Sequence, residues 1–587
     1  MLKFSISNKE FILVECKTIT NSITIFFDQE FNQQFHDGAL NIELPSFLRA
    51  MDNINSFLHL EKINPELTEE FIHLINTFPS YKSAAMSSEL ESQIILDKIL
   101  QEGFTRTPTK DQLRNLQSLC SKKAAASFSV PGAGKTTEAL GFYAFHKSNA
   151  NSKLLVISPI NAFISWHDEI GHCFTDNHVI SRLRGSVIDL KIKLNESPQH
   201  MIINYDSLRS EEKFNIIREL ILDNPDITVI LDESHKSKGE SISEILAQIA
   251  PYINFKLLLT GTPMPQAPSD LRAQFNFLYP QEHVPFDENL IDLFDPIYVR
   301  TTKEDLGLME VVYKNVMVSP YPAFDLFYDE YFIRQLDAGM TLQDILSISS
   351  FKKAVLKFIK LLSNPASCME EIFALDPSLA NRIIDEGDGA KIDALVERAE
   401  ELIARGEKVL IWSSFVVNVE LLASKFGSKA VYIHGGVGAA KDENEEFEDL
   451  DSREARIRRF KEDPNCMVLV ANPAAAAESI SLHEQCNYAL YLDRTYNAGQ
   501  FLQSQDRIHR LIAKDKEQQK YIEVFMLDLP WCADWRVHEA LNRKIDNMAD
   551  FLNDESLRSL EGFDIDSDSL NHENPMDIID EEAFSVR

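Results

Sequence analysis

Residues Ser129 to Thr137 read Ser-Val-Pro-Gly-Ala-Gly-Lys-Thr-Thr. An apolar, small-residue run, Ala124 to Phe128, precedes them, and a helix-like stretch, Glu138 to His146, follows. Strand, glycine-rich turn and helix, in that order, is the frame a phosphate-binding loop requires. Gly132 and Gly134 let backbone N–H groups converge on phosphate oxygens, and the helix adds the positive end of its dipole. In that frame Lys135 reaches the β- and γ-phosphates, Thr136 holds Mg²⁺ through its hydroxyl, and Thr137 completes the loop. Ser129 stands where the usual pattern opens with glycine, a place serine can fill only with φ negative. An ordinary glycine-rich turn could carry the same letters, so the rest of the chain decides.

A length of 587 residues exceeds what one core sustains and predicts several domains. Apolar content of 44% suits a soluble globular protein. No apolar run reaches the roughly 18 residues of a membrane span, and Met1 to Ile12 lacks a signal-peptide pattern. The seven cysteines are scattered with no CxxC pair, which predicts reduced thiols in a cytoplasm and argues against structural zinc. Net charge is −33; the tail Asp550 to Arg587, with twelve acids and two bases, supplies −10 and leaves −23 for the body. That balance disfavours tight nonspecific DNA binding. It does not exclude a local basic cleft, because salt screens surface fields beyond about 10 Å.

Residues 1–103 read as a small mixed domain. Glu10 to Cys16 and Ser22 to Phe27 predict strands, and Glu66 to Thr77 and Ser87 to Gln101 predict helices. Glu15-Cys16-Lys17 matches half of a nuclease triplet but lacks an acidic partner strand, so it reads as scaffold. From residue 104 apolar strands alternate with helices: Lys153–Ser158, Met201–Tyr205, Thr228–Leu231 and Lys256–Thr260. Such a pattern means a parallel sheet covered on both faces, with ligands at the carboxyl ends of its strands. Val229-Ile-Leu-Asp-Glu-Ser-His235 ends one strand in paired carboxylates. Beside a phosphate loop, Asp232 binds Mg²⁺ through water and Glu233 orients and deprotonates the attacking water. Leu259-Thr-Gly-Thr-Pro263 ends the next strand with hydroxyls placed to sense that state.

Residues 309–390 read as a largely helical linker, with a basic amphipathic helix at Ser350 to Lys360. A second α/β series fills 391–548, with strands at Lys408–Trp412, Ala430–His434, Met467–Ala471, Tyr488–Leu492 and Tyr521–Met526. It contains Gln503-Ser-Gln-Asp-Arg-Ile-His-Arg510, where a helix would put Arg507 and Arg510 on one face to stabilise a transferring phosphoryl group. Residues 549–587 read as an acidic tail, and Asp442 to Asp451 as an exposed loop.

Taken together, residues Arg106 to Leu527 resemble a Swi/Snf-type ATPase of helicase superfamily two, in a compact bacterial or phage-related form. Gln112 in DQLRNLQSL matches the family's adenine-reading glutamine, and Ser129 to Thr137 matches its motif I. Leu154 to Pro159 with Trp166, Ile203 to Asp206, and the Asp232-Glu-Ser-His235 box are similar to the motifs that follow. So are Leu257 to Pro263, Arg300-Thr-Thr-Lys303, Asn364-Pro365, Lys408 to Ser413, Asp493 to Asn497 and the arginine segment. One stretch departs: Asn472 to Leu482 has alanines where the family has a glycine pair, and Glu478 adds negative charge. The resemblance implies two tandem RecA-like lobes, ATP and Mg²⁺ as cofactors, and a motor that translocates on double-stranded DNA without separating its strands. It also suggests the motor half of a bacterial anti-phage or restriction-like system, with a separate nuclease or modification subunit docking on residues 1–101 or on the tail. A strand-separating DNA or RNA helicase and a remodeller of a complex such as RNA polymerase are the competing expectations.

Overall fold

The computed structural model describes residues 2–8, 10–174, 179–282, 284, 289–437, 452–476, 482–510, 518–530 and 532–558. The acidic run Asp442 to Asp451, Glu478 and the tail beyond residue 558 lie outside them. The chain divides into two units, Met1–Pro263 with Pro268–Thr301, and Met264–Ala267 with Thr302–Arg587.

The first unit opens with a four-stranded sheet ordered Ala39–Glu43, Phe11–Cys16, Leu2–Asn8, Glu66–Leu67. The first three strands are antiparallel neighbours and the last is parallel. Phe4, Val14, Phe27, Phe47 and Phe71 build its own core. Ser22 to Phe27, expected as a strand, is instead part of the helix Asn21–Phe31. The Thr20 side chain caps that helix at the Ile23 N–H, and Ile23 and Phe27, one turn apart, are its buried residues. Tertiary burial outweighs the β-propensity of the isoleucines and threonine there. The two helices expected at Glu66 to Thr77 and Ser87 to Gln101 start later, at Glu69 behind the Thr68 cap and at Ser92, and the helices Leu44–Arg49 and Met51–Leu60 precede them.

The larger sheet of this unit has seven strands, ordered Tyr298–Val299, Ala124–Ser127, Phe255–Leu259, Thr228–Asp232, Leu154–Ser158, His200–Asn204, Ile180–Arg182. Every pairing is parallel. The central strands are buried along almost their whole length, as strands covered by helices on both faces must be. Four of the expected strands fall within two residues of those observed. The two edge strands, Ile180–Arg182 and Tyr298–Val299, have too few residues to show a period in the sequence.

The second unit holds a six-stranded, all-parallel sheet ordered Val312–Val318, Tyr521–Leu527, Tyr488–Tyr491, Val409–Trp412, Val468–Ala471, Ala430–Ile433. Val312–Val318 therefore belongs to this sheet, not to a helical linker; as a half-exposed edge strand with Lys314 and Asn315 inside it, it lacks the apolar run of its neighbours. Helices Pro322–Tyr328, Phe351–Ser363 and Pro377–Asp385 follow it. Lys391, fully buried at the start of helix Ala390–Ala404, donates to Asp534 at 2.8 and 3.0 Å on helix Ala533–Leu552. Both sheets are of the RecA-like parallel kind, and no helix among the described residues is long and apolar enough to cross a membrane. All seven cysteines are buried and free.

Candidate active site

The strand Ala124–Ser127 runs into the glycine loop, and the helix Lys135–His146 starts directly behind it. Gly132 (φ 90°) and Gly134 (φ 85°) take the left-handed backbone that the loop needs. Ser129 does not, so serine is tolerated at the loop entry. The Lys135 ammonium folds back over the loop and donates to the Ser129 carbonyl at 2.8 Å. Thr136 lies half-buried in the first turn. Thr137 is buried, and its hydroxyl donates to Glu169, so any share it takes in binding phosphate falls to its backbone N–H.

Gln112 sits on helix Lys110–Leu119, and its side chain closes a capping box: Thr109 N–H donates to Gln112 Oε1 at 2.9 Å. Its Nε2 donates to the carbonyls of Ala133 and Gly134 at 3.4 and 3.5 Å. A Cβ at position 134 would overlap this amide. Gln112 is thereby fixed on the loop.

The acids come from the strand Thr228–Asp232, one strand away. Leu259 of the intervening strand is level with Ser127 on one side and Asp232 on the other. Loop and acids leave the sheet at the same rim. Asp232 Oδ2 accepts from the Trp166 indole at 2.8 Å, Oδ1 from the Glu233 N–H at 3.0 Å, and its carbonyl from Tyr205 at 2.9 Å. Burial, then the charge of Glu233, pushes the Asp232 carboxyl up to about 6, while the Trp166 bond and Lys135 pull it back. Glu233 turns out of the strand at φ 50°. Its Oε2 accepts from the Thr260 hydroxyl at 3.4 Å, and the same hydroxyl lies 2.9 Å from His235 Nδ1. The Thr262 N–H donates to Thr260 Oγ1 at 3.1 Å, so Thr260-Gly-Thr262 braces the acids. Gly261 sits against the loop, where a Cβ would meet Pro131 Cδ at 3.0 Å. Two adjacent half-buried carboxyls, leaving the sheet at the same rim as the loop whose helix opens with the Thr136 hydroxyl, form a hard-oxygen donor set whose chemistry fits Mg²⁺.

In the second unit the helix Ala498–Gln505 stops one residue before Asp506. Arg507 and Arg510 lie beyond its end and do not share a helical face, a correction to the expected helix through Arg510. The buried carboxylate of Asp506, paired with Lys303 at 2.8 Å, marks the point where the chain turns. Arg507 is 3% exposed. Arg507 Nε donates to the Gln503 carbonyl at 2.9 Å and Arg510 Nε to the Asp506 carbonyl at 3.0 Å. Several other matched stretches in this unit meet in one buried network. Asp493 accepts from Ser413 Oγ (2.5 Å) and the Ser414 N–H (2.7 Å), and Asn418 bonds both Asp493 and Asn364. These residues hold the rim of the second sheet together.

Trp166, Tyr205 and Glu169 support the first-unit site through contacts distant in sequence. Trp166 and Tyr205 both belong to stretches matched in the sequence. Nothing in the letters around Tyr205 or Glu169 announces what they touch.

The SNF2-related domain family matches residues 128–318, and the helicase conserved C-terminal domain family matches 390–512. An uncharacterized ATP-dependent helicase of Mycoplasma pneumoniae is 24% identical over 422 residues, 68% of this chain and 37% of that protein. The ATP-dependent DNA helicase DDM1 of Arabidopsis thaliana is 22% identical over 450 residues, 69% of this chain and 56% of that protein. The match thus spans about a third to a half of these relatives' lengths. A solved structure, the Sulfolobus solfataricus SWI2/SNF2 ATPase core in complex with dsDNA, aligns at 16% identity over 78% of this chain and 95% of that chain, with a TM-score of 0.32. The two domain families occupy more than half of the sequence, in the order in which the phosphate loop, the acid box and the arginine segment occur, and the chain belongs to the Swi/Snf type of helicase superfamily two.

Proposed function

We propose that the chain is an ATP-hydrolysing motor acting on double-stranded DNA. The observation that carries the reading is the shared rim, with Lys135 and its loop level with Asp232 and Glu233 across one strand. Lys135 would exchange the Ser129 carbonyl for β- and γ-phosphate oxygens, with Gly132, Gly134 and Thr137 contributing backbone, and Gln112 would meet the adenine. Thr136 and Asp232 would hold Mg²⁺, which when bound offsets charge on the phosphates. Glu233 accepts a proton from the attacking water while Thr260 and His235 fix its carboxylate. Arg507 and Arg510 of the second unit are the cationic groups we assign to the transferring phosphoryl.

Duplex DNA as the substrate is supported by the family and by a basic rim on the first unit. Arg182, Arg184, Lys193 and Lys213 gather where the edge strand ends. Lys193 donates to the Arg182 carbonyl at 2.6 Å, Lys213 donates to the Gly185 carbonyl at 2.8 Å, and Arg184 lies over Phe163 at 5.9 Å. The sheet is parallel, so this rim is also where Ser158 and Asn204 end their strands. Backbone phosphates are the partner such a rim fits.

The deciding experiment measures ATP turnover with duplex DNA, single-stranded DNA and RNA, alongside triplex displacement and forked-duplex unwinding. A duplex motor is stimulated most by duplex and displaces a third strand without opening the fork; fork opening would favour the strand-separating reading. Stimulation by RNA polymerase and not by DNA would favour a protein-complex remodeller. We further assign the motor to the cytoplasm and to a bacterial anti-phage or restriction-like system in which another subunit cuts or modifies DNA. Support comes from the free cysteines and from an N-terminal domain with its own core, residues 1–101 being the docking region with the acidic tail. DNA cleavage by the purified chain alone would remove the need for that subunit.

A further inference from the structure

The segment that leaves the first unit is tied to the phosphate loop through buried polar side chains. The strand Tyr298–Val299 pairs with Ala124–Ser127, and its continuation stays beside the loop: Phe128 N–H donates to the Val299 carbonyl at 2.9 Å and Val130 N–H to the Thr301 carbonyl at 3.0 Å. Thr301 is the last residue of the first unit, and Thr302 belongs to the second. Thr301 is 1% exposed, and its N–H donates to Ser129 Oγ at 3.0 Å. Asn115 Nδ2 donates to Thr301 Oγ1 at 2.9 Å and to Glu138 Oε1 at 2.7 Å, and lies 3.3 Å from Ser129 Oγ. Ser127 Oγ donates to Glu138 Oε2 at 2.8 Å and lies 3.2 Å from Ser129 Oγ. Arg114 reaches the Arg300 carbonyl at 3.1 Å. Glu138 is wholly buried, and it stands on the helix that the loop caps.

We propose that Asn115, Ser129 and Glu138 form a latch fastening the inter-unit connector at Thr301 to the phosphate loop, so that filling the loop resets the chain where it passes to the second unit. Ser129, the departure from glycine, supplies the acceptor for the connector's N–H, which a glycine there would lack. Asn115 bridges connector and helix in a single side chain, and Glu138 holds both Asn115 and Ser127 at fixed positions. The loop's carbonyl at Ser129 also holds Lys135, so drawing Lys135 onto a nucleotide releases one bond of the residue whose hydroxyl grips Thr301. The latch residues are positioning residues, and the inference rests on the loop taking ATP.

Hydrogen exchange of the full chain, with and without the ATP analogue AMP-PNP and Mg²⁺, tests it on two segments, 129–137 and 298–303. In the unaltered chain the analogue slows exchange in both, by about fivefold or more at the connector. Thr301→Val removes the acceptor for Asn115 and keeps the backbone N–H, and Asn115→Ala removes the bridge from the other side. In both variants slowing at 129–137 persists while slowing at 298–303 falls below about twofold. Thr301→Ser keeps the hydroxyl and restores the original response, which a general loosening of the fold would not do. Equal connector slowing in all four proteins overturns the latch. If the unaltered chain shows slowing at 129–137 and none at 298–303, the latch fails and the nucleotide site stands. No slowing at 129–137 brings down the site and the latch with it.

Discussion

Gly134 has two independent reasons to be glycine. Its backbone is left-handed, which costs an L-residue about 1–2 kcal/mol, and the space its Cβ would take is filled by the Gln112 amide. Gly134→Ala should therefore lower affinity for a fluorescent ATP analogue by about tenfold or more in an equilibrium titration. Lys135→Ala should weaken binding of the same analogue. Glu233→Gln keeps the shape of the side chain and its bond to Thr260 but removes the proton acceptor. Binding should survive, and steady-state turnover should fall by about 10²–10⁴-fold. Equal turnover by Glu233→Gln would take Glu233 out of the base role.

At the scale of elements, buried ionic and polar ties join the helices of the second unit. Asp534→Ala would leave the Lys391 ammonium buried without its carboxylate, a change that costs about 3–5 kcal/mol, read as a lower urea midpoint. Lys391→Met with Asp534→Leu removes both charges and should restore most of the loss. Buried histidines in both units add an acid-sensitive contribution. Burial pushes His146 and His538 down to about 3 and His509 down to about 4, and His538 Nδ1 lies 3.2 Å from both terminal nitrogens of Arg494, as a neutral ring accepting from a guanidinium would. In the unfolded chain each takes up a proton as pH falls through about 6.5, while the folded form resists until about 3 or 4. The stability these rings contribute is thus full above pH 6.5 and declines as pH falls from there to about 4 for His509 and about 3 for His146 and His538, by at most about 1.4 kcal/mol per pH unit for each histidine. Urea midpoints at pH 7 and pH 5 check this, and His538→Asn should flatten the difference.

The elements also show what a sequence can and cannot disclose. Central strands such as Leu154–Ser158 and Val409–Trp412 were legible because both faces are buried and the letters are apolar throughout. Edge strands were not, since Ile180–Arg182 is too short and Val312–Val318 too polar to stand out. The places of Lys135 at the head of its helix and of Asp232 and Glu233 at the end of a strand were legible because each follows from local spacing. The Trp166 bond to Asp232 spans 66 positions, and the Asn115 bond to Thr301 spans 186. Bonds of that separation exist only once the sheet has formed. The arginine helix was read one turn too long because nothing in Gln503 to Arg510 breaks a helix locally; the stop comes with Asp506 and its buried pairing to Lys303.

For the molecule as a whole, a net charge of −33 makes the location of its positive groups matter more than their number. Arg182→Ala and Arg184→Ala should weaken duplex binding evenly across sequences. Together they should also flatten the slope of log affinity against log salt by about one to two, roughly one for each DNA phosphate left without its arginine. Unchanged slopes in a fluorescence-anisotropy titration would move the DNA surface elsewhere. The state of the thiols has a different consequence. With all seven native sulfhydryls sequestered, a maleimide dye would find its targets at cysteines engineered on exposed positions such as Lys191 in one unit and Glu400 in the other. The protein is in effect prepared for energy-transfer spectroscopy without a cysteine-free background, and a dye on each unit would report, one molecule at a time, whether their separation changes when ATP is added.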